Sequence, residues 1–243
     1  MQLNDATEQY IGILANLLLP YNFKKKGKNL MVRNVGNCLQ EVRIMVTKLR
    51  GTDSIDIRYI VSYSYPLINK IASYIQGIPY RKKLSTGAFH AVYDAPCKIA
   101  YSHVISELMS EQDVTNFANL DAHAIVTHFF PLLEKCDTPE KLISALRNAD
   151  INVTKSIVGL GLNEWIQISA LLYLGKVEEA IQLFDKWTPL AWFGRQVLSD
   201  AEKRLCRWRI ATWEVGNVPS DNYTLFGRQG NGSVLPVPEC DNN

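Results

Sequence analysis

The sequence predicts an α+β fold: an N-terminal helix and an antiparallel β-meander, followed by a helical C-terminal half. Three observations carry this expectation. Apolar residues recur at helical spacing from 4 to 19, and they alternate with polar ones at a period of two between 30 and 65. From about residue 104 the period turns helical again. The implied organisation is a helix and antiparallel sheet over 1–110, a helical region packed on it over 111–215, and an irregular tail over 216–243.

In the first helix, Ala6, Tyr10, Ile13, Leu14, Leu17 and Leu18 form one face; Asn4 is the candidate cap and Pro20 the stop. Leu30–Val35 reads as a strand, turned by Asn34-Val35-Gly36-Asn37 into the next. In that next strand Val42, Ile44 and Val46 alternate with Glu41, Arg43 and Thr47. The strongest alternation sets Ile55, Ile57, Tyr59, Val61, Tyr63 and Tyr65 against Asp56, Arg58, Ser62 and Ser64. Residues 69–95, broken by Gly77, Pro79 and Gly87, read as a long partly ordered loop or short strands. Lys98–Val104 reads as a weaker strand or as the entry to a helix. Helices are expected at 103–118, 121–135, 138–147, 163–174, 177–187 and 196–213. Asp137-Thr138-Pro139-Glu140 supplies a start signal, and Gly175 supplies the left-handed stop between two of them. The tail holds Gly216, Pro219, Gly227, Gly230, Pro236 and Pro238 without an apolar period.

Composition narrows the class. With 47% hydrophobic and 21% charged residues in 243, the chain is neither disordered nor collagen-like nor a coiled coil. A chain of this size buries enough surface to need no metal or disulfide for its core. The net charge of +2 conceals a split: residues 1–110 carry 14 Lys plus Arg against 7 Asp plus Glu, and the remainder 12 against 17. That asymmetry implies complementary faces or a charged partner. Cys38, Cys97, Cys136, Cys206 and Cys240 are widely spaced, odd in number and free of a CxxC pair, which favours reduced thiols and a cytoplasmic location. Met1–Asp5 lacks a basic signal region, and Ile11–Pro20 is too short to span a bilayer, so no membrane association is expected.

Few residues announce chemistry. Phe23-Lys24-Lys25-Lys26-Gly27-Lys28 is the densest charge cluster, and Tyr80-Arg81-Lys82-Lys83 repeats its pairing of an aromatic with cations. Such interleaving suits phosphates and bases; lysines on a sheet edge equally discourage unwanted strand pairing. His123 and His128 are five apart, which places them on different helix faces, and no HExxH motif is present. Asp121 with His123 forms a conceivable acid–base or metal pair without further members, and His90 with Cys97 a conceivable Cys–His pair. Ser102-His103 are adjacent rather than arranged as a triad. Gly159-Leu160-Gly161 lacks the third glycine of a dinucleotide loop. These readings leave no catalytic residue, metal ligand or cofactor assigned. In the last helix, Leu198, Ala201, Leu205, Trp208 and Thr212 mark one face and Lys203, Arg204, Arg207 and Arg209 crowd much of the remainder, with Trp187, Trp192, Phe193 and Trp213 close in sequence. Tryptophan and arginine favour interfaces, and they also anchor helices onto a core.

The run Leu17-Leu18-Leu19-Pro20-Tyr21-Asn22-Phe23-Lys24-Lys25-Lys26-Gly27-Lys28, then Arg33 and the alternating strands, resembles the opening of an uncharacterised bacterial family, the domain-of-unknown-function family numbered 4304. Its members similarly start with a helix, a GF-K-K-x-G type turn and a β-meander; Asn22 stands where that pattern often has Gly. The resemblance extends over roughly residues 5–190 and implies association with bacterial conflict or immunity loci, with no catalytic residues to carry over. Separately, Leu171–Phe184 resembles the middle of one tetratricopeptide repeat, with Ala180 and Phe184 as its A-x₃-F element.

The leading expectation is a non-enzymatic cytoplasmic interaction protein, specifically an immunity protein that binds and neutralises a bacterial toxin. The alternative is a nucleic-acid-associated defence or regulatory protein, and the third reading an unrecognised hydrolase. The residues expected to meet a partner are Lys24, Lys25, Lys26, Lys28, Arg81, Lys82, Lys83, Arg204, Arg207 and Trp208.

Overall fold

The fold is α+β, seen in a computed structural model that describes residues 2–78, 80, 85–92, 102–157, 163–187 and 198–216. In chain order the elements are α1 (Leu3–Leu18), a 3₁₀ turn (Leu19–Tyr21), β1 (Lys24–Lys25), β2 (Leu30–Val35), β3 (Cys38–Lys48) and β4 (Ser54–Ser64). Then come α2 (Pro66–Gln76), β5 (Gly87–Phe89), β6 (Ser102–Ser106), α3 (Glu111–Ala124), a π segment (Ile125–Phe129) and α4 (Phe130–Glu134). The last are α5 (Pro139–Arg147), α6 (Ile151–Ser156), α7 (Asn163–Tyr173), α8 (Val177–Lys186) and α9 (Asp200–Ala211). The chain divides into two compact units, Met1–Ser64 with Gly87–Ser156, and Tyr65–Thr86 with Ile157–Asn243. Residue 110, the boundary expected from periodicity, falls inside the first unit.

The first unit is built on an antiparallel sheet of order β1-β2-β3-β4-β5, with β6 also paired to β4. The meander expected from residue 30 onward is this sheet. Its register puts Met31 opposite Val42, Val42 opposite Val61, Ile44 opposite Tyr59, and Ile55 opposite Ile105. Directly opposed residues share a face, so the period-two apolar set becomes one continuous surface. Every one of those residues is buried, with α1, α3 and the π segment supplying Tyr10, Leu14, Val114, Ala118 and Phe129. The opposite face carries Arg43, Met45, Arg58 and Val104, all exposed.

Two expectations are corrected in this architecture. Ser102–Ser106 is a strand paired with Ser54–Arg58 rather than the start of a helix at 103. The helix that follows begins at Glu111, because the Ser110 side chain and Asp113 cap each other's backbone N–H groups. Residues 66–76, partly assigned to a loop, form α2: Pro66 sits in its first turn and Ile68, Ile71, Ala72 and Ile75 fill one face. Gly77 then ends it at φ +65°, with its N–H bonded to the Ser73 and Tyr74 carbonyls. Short strand structure does occur in the remainder of that segment, as β5.

The π segment has a local cause. Pro131 has no N–H to donate back along the helix and crowds the carbonyl of Thr127, so the preceding turn widens and the Phe130 N–H reaches Ile125 O.

The second unit, among the described residues, is helical. α2 packs on α7 and α9, and α8 packs on both α7 and α9. The ends of Tyr65–Thr86 are clasped together, because the Tyr65 N–H donates to Thr86 Oγ1 at 2.8 Å and that hydroxyl donates to Asn69 Oδ1 at 2.8 Å. α7 and α8 form the expected helical hairpin around Gly175, which sits at φ +74°. Apart from Gly216, the tail expected over 216–243 lies outside the described residues.

Candidate interaction surface

β1 lies at one edge of the sheet, with Lys24 opposite Val32 and Lys25 opposite Met31. The Lys26 N–H donates to Leu30 O at 2.7 Å, and Gly27 turns the chain at φ +79°. Lys24, Lys25, Lys26 and Lys28 are all exposed. Lys28 approaches Glu8 at 3.9 Å with both side chains 71% exposed, a distance and exposure worth little energy. Lys24, Lys25 and Lys26 have no ion pair among the described residues. Four cations thus project from one edge with almost no internal neutralisation.

Arg33, one strand inward, is held differently. Its guanidinium lies 4.7 Å from the centre of the Phe23 ring and 4.5 Å from that of Phe130, and those two rings stack on one another. Nε donates to Gln40 Oε1 at 2.7 Å and Nη1 to the Tyr21 carbonyl at 3.1 Å. Tyr21 meets the Phe130 ring edge-on and is 39% exposed. Partial burial lowers the Arg33 pKa from its ordinary value, while the nearby carboxylates of Glu134 and Asp137 act in the other direction. Phe23 and Phe130 are buried. Phe23, the aromatic that opens the lysine run, is therefore a core residue rather than an open stacking platform, which removes part of the basis for base recognition.

Elsewhere the expected positions separate. Arg207 is engaged by Asp185 through both Nε and Nη2, at 2.9 and 3.1 Å, and Trp208 is half-buried. Arg204 is exposed on the same helix. Arg209 is a buried residue whose Nη1 bonds the Tyr74 and Ile75 carbonyls at 2.9 and 3.2 Å, so it caps the C-terminal end of α2. Arg81, Lys82 and Lys83 lie outside the described residues, as do Cys97, Trp192, Phe193 and 159–161.

The histidines resolve into one built constellation. Asp121 pairs not with His123, which is exposed, but with His103 and Tyr10. His103 Nε2 lies 2.8 Å from Asp121 Oδ1, the Tyr10 hydroxyl donates to Asp121 Oδ2, and the imidazole stacks on Phe117 at 4.4 Å. Burial, then the Asp121 charge, push the Tyr10 pKa far above its ordinary value, so this phenol stays protonated and donating. The sequence hid this arrangement because its members lie in α1, β6 and α3. Ser102 turns to the other sheet face and donates to Asp56 Oδ1 at 2.7 Å, so its hydroxyl cannot serve His103. Asp56 also accepts from Arg58 at 2.6 Å.

Among the described residues no group of three or more His, Cys, Asp or Glu side chains could hold a metal ion. Nor is any helix there long and apolar enough to cross a membrane. An open cleft of about 460 Å³ between α4, α5 and the turn before α6 is lined by Glu134, Lys135, Lys141, Ser144, Asn148 and Asp150. Its lysines are already paired, Lys135 with Asp150 at 2.7 Å and Lys141 with Asp137 at 2.8 Å.

In comparison with known proteins, no family model, no curated protein and no solved structure matches the chain.

Proposed function

We propose that this chain is a non-enzymatic protein-binding protein whose basic sheet edge docks an acidic protein surface. One observation carries the reading: Lys24, Lys25 and Lys26 stand exposed and without an ion pair among the described residues, while Lys135, Lys141 and Arg207 are each held by a carboxylate. An unneutralised edge of this kind raises the rate at which an acidic partner arrives and orients its approach. Tyr21 and Leu19, 39% and 58% exposed, add apolar contact area beside the cations. The resemblance to the bacterial family numbered 4304 makes a toxin the proposed partner and neutralisation the proposed outcome. Three unbridged, buried thiols, Cys38, Cys136 and Cys206, support a cytoplasmic setting within the same proposal.

The test begins with crosslinking in the source cell and identification of the bound protein. Its association rate is then measured against wild type and the Lys24→Glu/Lys25→Glu/Lys26→Glu variant at low and high salt. The expected result is a fall of about tenfold or more in the association rate on charge reversal, with a smaller change in dissociation. A partner whose association ignores both salt and the triple reversal refutes the reading. Tight, steeply salt-dependent binding of a short DNA or RNA duplex, with no protein partner, replaces it by the nucleic-acid alternative.

A further inference from the structure

From the way Arg33 is held, we infer that its guanidinium is a binding site for a single carboxylate, presented by an Asp or Glu side chain of a partner protein. This rests on the protein-binding reading above and names the contact at its centre. Three features set Arg33 apart from the lysines around it. First, the guanidinium is pre-ordered: Phe23 and Phe130 lie 4.7 and 4.5 Å from it, and Gln40 and the Tyr21 carbonyl fix its rotation. Little side-chain entropy is left to lose on binding, which is the usual cost of recruiting a surface arginine. Second, a guanidinium has five N–H donors, and Arg33 commits only Nε and one Nη1 hydrogen. The remaining donors have no acceptor among the described residues, in the fork that carboxylates engage with two parallel bonds. Third, Arg33 is half-buried without a salt bridge among the described residues, so a carboxylate arriving there meets a charge already partly stripped of water.

The charge around the site selects among anions. Lys25 projects from the adjacent strand on the same sheet face as Arg33, Lys24 lies on the opposite face of that edge strand, and exposed Lys26 and Lys28 belong to the turn that follows it. On the other side, Glu134 and Asp137 are close enough to act on the Arg33 charge. This mixed field accepts one negative charge against the guanidinium and resists a continuous phosphate chain, whose neighbouring charges would run toward Glu134 and Asp137. The exposed parts of Tyr21 and Leu19 suit the carbon skeleton of a protein side chain.

The experiment uses the full chain labelled with ¹⁵N and follows the Arg33 Nε–H resonance, assigned with Arg33→Lys. The probes are an acetylated, amidated Ala-Ala-Glu-Ala-Ala peptide, which carries one carboxylate, and, separately, a thymidine hexanucleotide, both at low salt. The expected result is a saturable shift of the Arg33 signal by the peptide, with affinity falling about fivefold or more in Arg33→Lys despite the retained charge. Gln40→Leu, which frees the guanidinium rotation, gives a smaller loss. Through-bond correlations from the Arg33 backbone assign the same resonance in the wild type, so a misfolded Arg33→Lys leaves the titration decisive. Peptide-induced shifts confined to the backbone of Lys24–Lys28, with Arg33 silent, overturn this inference and leave the basic-edge reading standing. A stronger response to the hexanucleotide overturns the carboxylate assignment. No response to either probe overturns the site, while the protein-binding reading is judged by the crosslinked partner's kinetics.

Discussion

Asp121→Ala tests the buried Tyr10–Asp121–His103 constellation, and its cost is calculable from burial. Tyr10 is 0% exposed and donates its hydroxyl to Asp121, so removing the carboxylate strands a donor that water cannot reach. Such a stranded group costs about 1–3 kcal/mol. The His103 side chain is 18% exposed, so its freed nitrogen is rehydrated and the loss is that of one ordinary hydrogen bond, about 1 kcal/mol. The sum is a destabilisation of about 2–4 kcal/mol. The second substitution is the sharper half of the test. Adding Tyr10→Phe to Asp121→Ala removes the stranded hydroxyl, so the double variant should recover about 1 kcal/mol or more of the loss. Urea unfolding followed by far-ultraviolet circular dichroism measures both. All five tryptophans lie beyond residue 157, in the second unit, whereas the constellation is in the first. Tryptophan fluorescence therefore monitors the other unit, and it shows whether the two unfold together. A loss under about 0.5 kcal/mol for Asp121→Ala, or a double variant less stable than the single, refutes the reasoning.

Arg209→Met should destabilise the second unit by about 2–3 kcal/mol, because the Tyr74 and Ile75 carbonyls lose a charged donor inside the protein; thermal unfolding read by tryptophan fluorescence checks it. Gly87→Ala should cost about 1–3 kcal/mol, since the new Cβ would stand 2.5 Å from the Tyr63 ring, whose hydroxyl is tied to Ser156 at 3.2 Å; the measurement is the denaturation midpoint by circular dichroism. At Asp150, burial raises the carboxyl pKa, but Lys135 and the N–H groups of Val153 and Asn152 outweigh it and hold the net value below the ordinary one. A depressed folded pKa gives stability that is present above the unfolded value of about 3.9 and is lost as pH falls through the folded value. Asp150→Asn should accordingly be less stable than wild type near neutral pH, with the gap closing as pH falls below the unfolded value and through the lower folded one; paired urea titrations across pH would show it. The Cys206 thiol, pushed up to about 12 by burial, should resist iodoacetamide at pH 9 in the folded chain and react once unfolded, as read by mass spectrometry of its peptide.

Periodicity made the sheet legible because apolar residues line the inward face of β3 and β4 while polar Asp56, Arg58 and Ser62 occupy the other, and that writes a period of two into Ile55–Tyr63. The helical hairpin at Gly175 was equally plain, since a left-handed stop between two apolar periods has few other uses. α2 was legible in part: Ile68, Ile71, Ala72 and Ile75 carry the helical spacing, but Gly77 and Pro79 behind them drew the segment toward a loop. β6 was legible only as one of two alternatives, a weak strand or the entry to a helix, because five residues hold too few repeats to separate a strand from the first turn of a helix.

At the candidate surface the lysines could be found by counting charge, whereas their separation from the other basic residues could not. Composition treats Lys24, Arg207 and Arg209 alike. Tertiary structure leaves the first exposed and without an ion pair among the described residues, binds the second to Asp185, and buries the third against the end of α2. The same holds for Asp121, whose partners sit 111 and 18 residues away in the chain, out of reach of any local pattern. By itself, then, the sequence determined the α+β class, the strands with one buried face and the basic edge, all of which follow from local spacing and local charge. Only the tertiary structure decided which cations stay free, where Arg33 rests and what Asp121 holds, because burial and pairing depend on contacts between residues far apart in the chain.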